Sequence, residues 1–315
     1  MSFILITGGT GMVGKSLTRF LVSKGHQVII LTRSQKKTLS QPGVEYALWD
    51  VKEQTINLAA VQRADYIIHL AGAGVVDKKW TRTYKKEILE SRTHGSKLLV
   101  NTLKENNHSV KAIVSSSGIG WYGEDQTPGF AFTETDPADE DFLGQTCLLW
   151  EQSIEQAEEI GIRVCKLRTG IVLSSDGGAL QEFKKPIELG VGAILGSGKQ
   201  IISWIHIDDL CRLFLYAIED EQMHGSYNAV APNPVSNKTL TIQLAQLMKG
   251  NFYIPLHVPA FILKFILGSR STEVLKSTTV SCTKIKNEGF TFLYPTVDAA
   301  LHELIKNKAI TNLSE

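Results

Sequence analysis

The stretch Phe3-Ile-Leu-Ile-Thr-Gly-Gly-Thr-Gly-Met-Val-Gly-Lys-Ser-Leu17 decides the fold. An apolar run of strand length enters a glycine cluster and leaves as an amphipathic helical pattern. Gly8, Gly11 and Gly14 stand in a G-x-x-G-x-x-G spacing. Glycine answers three needs there: a sharp strand-to-helix turn, close approach of backbone N–H groups to a pyrophosphate, and tight packing of helix on strand. The helix N-terminus adds unpaired N–H groups and a partial positive charge. An ordinary βα turn is the alternative, but the position between strand and helix favours dinucleotide binding.

Outward from this turn, strand and helix patterns alternate through the first two thirds of the chain. That alternation predicts an α/β fold, a Rossmann-type doubly wound parallel sheet with helices on both faces. Further strand patterns fall at Val28–Thr32, Val44–Trp49, Tyr66–Ala71, Val110–Ser115 and Arg163–Leu167. Helical patterns run to about Lys24, from about Thr83 to Lys104, and over roughly Leu143–Ile160. The segment from Glu124 to Asp141 is acidic and loop-like. After Leu173 the elements become short and glycine-rich. Ile201–Ile205 reads as extended, Asp208 and Asp209 as caps of a helix reaching Ile218, and Ser226–Val230 as a late strand. The expected organisation is a dinucleotide-binding domain over 1–173, rejoined by 201–230. A smaller, mostly helical substrate lobe then takes 174–200 and 231–315.

The 315 residues are 43% hydrophobic, enough for a large core. A net charge of +1 gives no sign of a nucleic-acid or anionic-membrane surface. Cys147, Cys165, Cys211 and Cys282 are far apart, with no metal-ligand spacing, and read as buried free thiols in a reducing compartment. Gly8 and Gly9 interrupt the first apolar run too early for a signal peptide. The most apolar late stretch, Ile254 to Leu267, carries two prolines and a lysine and is too short to span a membrane. These features point to a cytoplasmic protein with a small-molecule substrate.

The end of the second strand meets the adenosine ribose in this kind of fold. An acid there suits NAD, and an arginine suits the 2′-phosphate of NADP. The strand ends Leu31-Thr32-Arg33-Ser34, with Lys36 and Lys37 beyond and no carboxylate. A guanidinium binds phosphate through parallel hydrogen bonds, so NADP(H) is favoured over a merely solvated basic loop. Asp50, after the third strand, is either an acceptor for the adenine amino group or a turn residue. Ala71-Gly72-Ala73 is small enough to pass beneath a ribose.

Several motifs resemble the extended short-chain dehydrogenase/reductase superfamily. They are Thr7-Gly-Gly-Thr-Gly-Met-Val-Gly, His69-Leu-Ala-Gly, Ser115-Ser-Ser before Tyr122-Gly123, and Trp204-Ile-His-Ile-Asp-Asp-Leu. More narrowly, Leu167-Arg-Thr-Gly-Ile-Val-Leu, Asp176-Gly-Gly-Ala-Leu, Leu195-Gly-Ser-Gly-Lys-Gln, Asn228-Ala-Val-Ala-Pro-Asn-Pro-Val and Glu288-Gly-Phe resemble an atypical "epimerase family". That family is related to nucleoside-diphosphate-sugar epimerases. The segment from about Ile254 to Leu304 looks like its small appended C-terminal domain. The resemblance implies that Thr10, Gly11, Met12 and Val13 wrap the pyrophosphate, while Thr32 and Arg33 meet the 2′-phosphate. Leu70, Ala71 and Gly72 would lie beside the ribose, and Val172 would offer backbone to the nicotinamide end. Arg92 stands where related enzymes often have an asparagine under the cofactor, with Glu87 about one helical turn earlier. Glu87 and Arg92 read equally well as helix-surface charges. Related folds often pair helices into a homodimer.

The catalytic pattern departs from that family. Its sugar-nucleotide enzymes use a Ser, a Tyr and a Lys, the lysine lowering the tyrosine pKa. Ser117, or Ser116 in a shifted register, fits the serine. Where Tyr-x-x-x-Lys should follow, the chain has Cys147-Leu-Leu-Trp-Glu151. A carboxylate in the lysine's place makes Cys147 a poor anion. Tyr122 is the best substitute proton donor, with loop packing as its alternative. Glu151 serves as a general base if burial raises its pKa, or caps a cofactor contact, or faces water. No metal site is expected at His206 and its neighbouring aspartates. The resemblance implies reversible hydride transfer at a carbonyl or carbinol carbon, with a nucleotide sugar among the candidate substrates. The missing Tyr and Lys motivate the alternative of a non-catalytic NADP(H)-binding sensor or partner-docking protein.

Overall fold

A computed structural model gives the structure, and it describes residues 1–34, 41–127 and 129–307. The first half alternates as anticipated: β1 (Phe3–Thr7), α1 (Met12–Ser23), β2 (Gln27–Thr32), β3 (Val44–Asp50), β4 (Thr55–Ile56), α2 (Leu58–Gln62), β5 (Tyr66–His69), α3 (Arg82–Glu105), β6 (Ala112–Gly118), α4 (Phe142–Glu155) and β7 (Arg163–Thr169). Then come β8 (Ile171–Leu173), α5 (Ala179–Glu188), β9 (Val191–Leu195), β10 (Ile201–Ile202), β11 (Trp204–His206), α6 (Ile207–Glu219) and β12 (Gly225–Ala229). The chain closes with β13 (Val235–Ser236), α7 (Asn237–Lys249), β14 (Ile254–Val258), α8 (Ala260–Leu267), α9 (Ser271–Leu275), α10 (Thr283–Asn287) and α11 (Val297–His302).

Eight strands form one sheet in the order β12-β7-β6-β5-β1-β2-β3-β4. The pairs β5·β1, β1·β2, β2·β3 and β5·β6 are parallel, and β3·β4 is antiparallel. The chain reverses direction of growth at β1, as in a Rossmann-type doubly wound sheet. Strand β12 takes the edge beside β7. The sheet's core packs Leu5, Ile29, Leu31, Ile67 and Ile113 from the strands against Leu98, Leu99, Leu103 and Ile154 from α3 and α4. Buried apolar area of this kind is the main stabilising term.

Polar side chains set the ends of the key elements. Thr81 accepts from the Tyr84 N–H and starts α3, and Asp141 accepts from the Gly144 N–H and starts α4. Strand β6 runs three residues past its anticipated end, which carries Ser117 to the strand's tip. Strand β5 instead stops at His69, because the Leu70 and Ala71 N–H groups turn to the Thr7 hydroxyl. Arg163, on β7, caps the far end of α6. Its Nη1 donates to the Ala217 and Met223 carbonyls and its Nη2 to the Ile218 carbonyl. Arg163→Ala leaves these acceptors bare and is expected to cost about 2 kcal/mol, read from the urea midpoint. An unchanged midpoint would contradict this role.

Two compact units divide the chain. One takes Met1–Trp121, Pro137–Arg168 and Cys211–Tyr227; the other takes Tyr122–Asp136, Thr169–Leu210 and the residues from Asn228 onward. Within the second, β8 pairs with β11 and β9 with β14, both parallel, and β10 pairs with β13 antiparallel. The extended run anticipated at Ile201–Ile205 is therefore two strands. They separate at Ser203, whose hydroxyl donates to Thr278 and accepts from the Val280 N–H. Ile254–Leu267 is a strand and a short helix joined at Pro259. Among the described residues no helix is long and apolar enough to cross a membrane.

Candidate functional site

The glycine turn is built for close approach. Gly8 has φ of +71°, and a Cβ there would come within 2.9 Å of the Leu70 carbonyl carbon. A Cβ on Gly14 would collide with the Gly8 carbonyl oxygen and the Gly9 backbone, so only glycine lets α1 lie this near the turn. Gly11 donates its N–H to Gly8 O at 3.0 Å and occupies the N-cap of α1. No side chain caps the helix and no acid stands in its first turn. Thr10 and Gly11 are exposed and Met12 and Val13 half-buried, which leaves the helix start open to an anion.

Behind this turn lies a buried chain of hydrogen bonds that sequence reading did not assign. Thr7 Oγ1 accepts from the Leu70 and Ala71 N–H groups, both at 3.1 Å. Its own proton therefore goes to His69 Nδ1, 2.7 Å away. His69 Nε2 then carries the ring proton and donates to Ser96 Oγ at 3.2 Å, while Ser96 donates onward to Arg92 O at 3.0 Å. Burial, helped by the Arg92 charge, lowers the His69 pKa to about 3 and keeps the ring neutral. The loop after β5 is thus pinned to β1 by a fixed tautomer. The signal was present in the motif His69-Leu-Ala-Gly, but its partners are 62 and 27 residues away.

At the end of β2, Arg33 is exposed and Thr32 half-buried, its hydroxyl donating to Ser34 O at 3.2 Å. Lys36 and Lys37 lie outside the described residues. Asp50 Oδ1 accepts from the Lys52 and Glu53 N–H groups at 2.8 and 3.1 Å, the pattern of a turn-closing aspartate. Glu87 makes a surface ion pair with Lys78 at 3.5 Å. Arg92 lies against Gly72, where a Cβ would come within 3.0 Å of its Cζ. Its Nη1 donates to Ala73 O and Ile88 O, and its guanidinium covers the Trp150 ring at 4.9 Å. Burial draws its pKa below the ordinary value.

Ser117 and Glu151 come together. The Ser117 hydroxyl donates to Glu151 Oε1 at 2.7 Å. Arg168 Nε and Nη2 donate to the two oxygens of the same carboxylate at 2.9 and 3.0 Å, and Ser226 Oγ donates to Oε2 at 3.0 Å. Glu151 and Arg168 are 4% and 3% exposed, so the carboxylate does not face water. Four hydrogen bonds therefore converge on this one carboxylate. Arg168, with the Trp121 ring 3.6 Å beneath it, was not singled out in the sequence, although it sits in the motif Leu167-Arg-Thr-Gly. Cys147 is buried, with Sγ 3.6 Å from Gly118 O. Burial pushes its thiol up to about 11; Glu151 adds to the rise and Arg92 opposes it.

The second unit holds the other residues. Tyr122 is buried and donates to Asn228 Oδ1 at 2.6 Å, stacked on Phe132 with ring centroids 5.1 Å apart. Asn228 in turn donates its N–H to Glu134 and its Nδ2 to Ser281 O. Val172 pairs with Ile205 in the β8·β11 ladder.

The chain matches the NAD dependent epimerase/dehydratase family over residues 4–229. It belongs to that family. Residues 258–304 match a second description, a domain of unknown function (DUF1731). An epimerase family protein of Staphylococcus aureus (strain NCTC 8325 / PS 47) is 37% identical over 313 residues, 97% of this chain and 100% of the relative. Among solved structures, human epimerase family protein SDR39U1 (isoform 2) with NADPH has a TM-score of 0.83 at 28% identity. It covers 97% of this chain and 99% of that one. The nucleoside-diphosphate sugar epimerase from Corynebacterium glutamicum has a TM-score of 0.75 at 30% identity, over 99% of this chain and 61% of that one.

In this epimerase-family chain the motif Trp204-Ile-His-Ile-Asp-Asp serves packing and capping. Helix α6 begins at Ile207, so Asp208 and Asp209 lie in its first turn rather than ahead of it. Asp209 is buried and accepts from the Leu293 and Tyr294 N–H groups. His206, Asp208 and Glu303 bring ligand-type atoms within 4.8 Å of one another. His206 Nδ1 accepts from the Asp208 N–H, so Nε2–H faces Glu303 Oε2 at 3.0 Å as a donor. Burial lowers the His206 pKa to about 4 and raises that of Glu303. Both ring nitrogens are therefore occupied by a neutral hydrogen-bonding role.

Proposed function

We propose that this chain is an NADP(H)-binding oxidoreductase or epimerase-like enzyme. Its first unit would hold the cofactor, and its substrate would be a small molecule. Gly8, Gly11 and Gly14 with the open start of α1 fit a pyrophosphate held by Thr10 to Val13. Leu70, Ala71 and Gly72, pinned by Thr7 and His69, fit a ribose. The observation that carries NADP over NAD is Arg33 at the end of β2 with no carboxylate beside it. The NADPH in the human SDR39U1 structure supports the same choice. Bound there, the nicotinamide would give or take a hydride at a carbonyl or carbinol carbon. Ser117 would accept a hydrogen bond from a carbinol hydroxyl of the substrate, because its own O–H is donated to Glu151.

A second reading, a non-catalytic NADP(H) sensor, draws support from the same hydrogen bonds. The Ser117 proton is held by Glu151 and the Tyr122 proton by Asn228, and Cys147 and Glu151 replace the family Tyr and Lys. Fluorescence titration with NADPH and NADH tests the common part. NADPH is expected to bind the more tightly. Arg33→Ala should weaken NADPH by about 10- to 100-fold and NADH by less than about threefold. Absence of binding to either nucleotide would end both readings. A panel of nucleotide sugars and carbonyl compounds, followed by nicotinamide absorbance, separates them: turnover supports the enzyme, and binding without turnover the sensor.

A further inference from the structure

Two arginines stand near Ser117 and the loop after β5, and their charges are treated differently. Arg168 turns its Nε–Nη2 edge to Glu151 and holds the carboxylate with two parallel bonds. This is the side-on fork by which a guanidinium matches a planar dioxygen anion. Arg92 uses only Nη1, whose two hydrogens go to Ala73 O and Ile88 O at 3.0 and 2.9 Å. A guanidinium has five N–H donors, so three remain, two on Nη2 and one on Nε. Among the described residues none of these has an acceptor and no carboxylate pairs with Arg92. The side chain is half-buried, and its unused donors are not among the fully sealed, unpartnered polar atoms of the described residues.

The surroundings place this open edge usefully. Arg92 lies against Gly72 on one side and over Trp150 on the other, and Trp150 directly precedes Glu151 on α4. The nearby hydroxyls already donate elsewhere: Ser117 to Glu151, Ser91 to Ile88 O and Ser96 to Arg92 O. A partly desolvated cation without an anion is costly, and a ligand that supplies the anion recovers that cost. We propose that Arg92 binds a carboxylate of the substrate, through parallel hydrogen bonds from Nε and Nη2. The substrate is then an acid, such as an oxo or hydroxy acid or a uronic-type sugar. The proposal rests on the cofactor site argued above, and a phosphate of the cofactor is the competing source of the same anion.

The test uses the full-length protein, wild type, Arg92→Met and Arg92→Lys, each checked for folding by circular dichroism. Calorimetric titrations are run with and without NADP⁺. The probes are acetate, malonate and benzoate against acetamide, malonamide and benzamide, and NADPH is titrated separately. At least one carboxylate is expected to bind wild type about tenfold or more tightly than its amide. Arg92→Met should erase that preference and Arg92→Lys should weaken it, with NADPH affinity changed by less than about threefold. If Arg92→Met does not fold, Arg92→Lys supplies the comparison. No carboxylate preference in the wild type, or a preference unchanged in the variants, overturns the proposal. A tenfold loss of NADPH affinity with the carboxylate preference intact assigns the anion to the cofactor and overturns it too. Failure of NADPH to bind wild type, with an Arg92-dependent carboxylate preference still present, instead strikes the cofactor reading.

Discussion

Gly14→Val is expected to weaken NADPH binding by about 100-fold or more and to lower stability by about 1–3 kcal/mol. The added Cβ meets the Gly8 carbonyl oxygen and the Gly9 backbone, and neither can swing aside as a flexible side chain does. Relief requires α1 to move away from β1. The helix is held by Leu17 and Leu21, both fully buried, so that movement opens a gap in a close-packed core. It also shifts the first-turn N–H groups on which the proposed pyrophosphate would rest. Gly11→Ala supplies the contrast. Its Cβ has a single neighbour, Gly8 O at 3.4 Å, so the fold should be kept. Any loss of affinity in that variant reports close approach of the ligand to the turn. Titrations of NADPH fluorescence with urea melts check both variants. Tight NADPH binding by a folded Gly14→Val protein would remove the turn from the cofactor site.

What sequence reading recovers here follows from how far apart the interacting residues are. The strand–glycine–helix turn is local, so its spacing alone predicts β1, α1 and the need for glycine. The alternation of elements is also local, and the Rossmann-type sheet follows from it. The capping aspartates show where such reasoning stops. Asp209 has the residue type and position of a helix-start signal, yet its carboxylate closes on N–H groups 84 and 85 residues later. Tyr122 and Ser117 lie close in sequence at the end of β6, but their hydroxyls go to different partners, Asn228 and Glu151. Glu151 was legible as an anomaly, a carboxylate where the family has a lysine. Its counter-ion was not, because only the packing of α4 against the sheet brings Arg168 to it.

The Glu151–Arg168 pair is therefore where the largest stability effect is expected. Glu151→Ala should cost about 3–5 kcal/mol, because it leaves a guanidinium that is 3% exposed without its anion. Arg168→Met should cost a similar amount, since two serine hydroxyls then hold the carboxylate alone. The double variant Glu151→Met with Arg168→Met removes both charges and keeps apolar volume beside the Trp121 ring. It should lie closer to wild type than either single change, as replaced buried ion pairs often do. Urea unfolding of the four proteins gives the coupling directly. Additive losses would mean that the two charges stabilise independently, contrary to the geometry. The same physics explains why the family lysine cannot be restored alone. A lysine at position 151 would set an ammonium against Arg168 in a site closed to water. The departure from Tyr-x-x-x-Lys is thus tied to Arg168, and the two must change together.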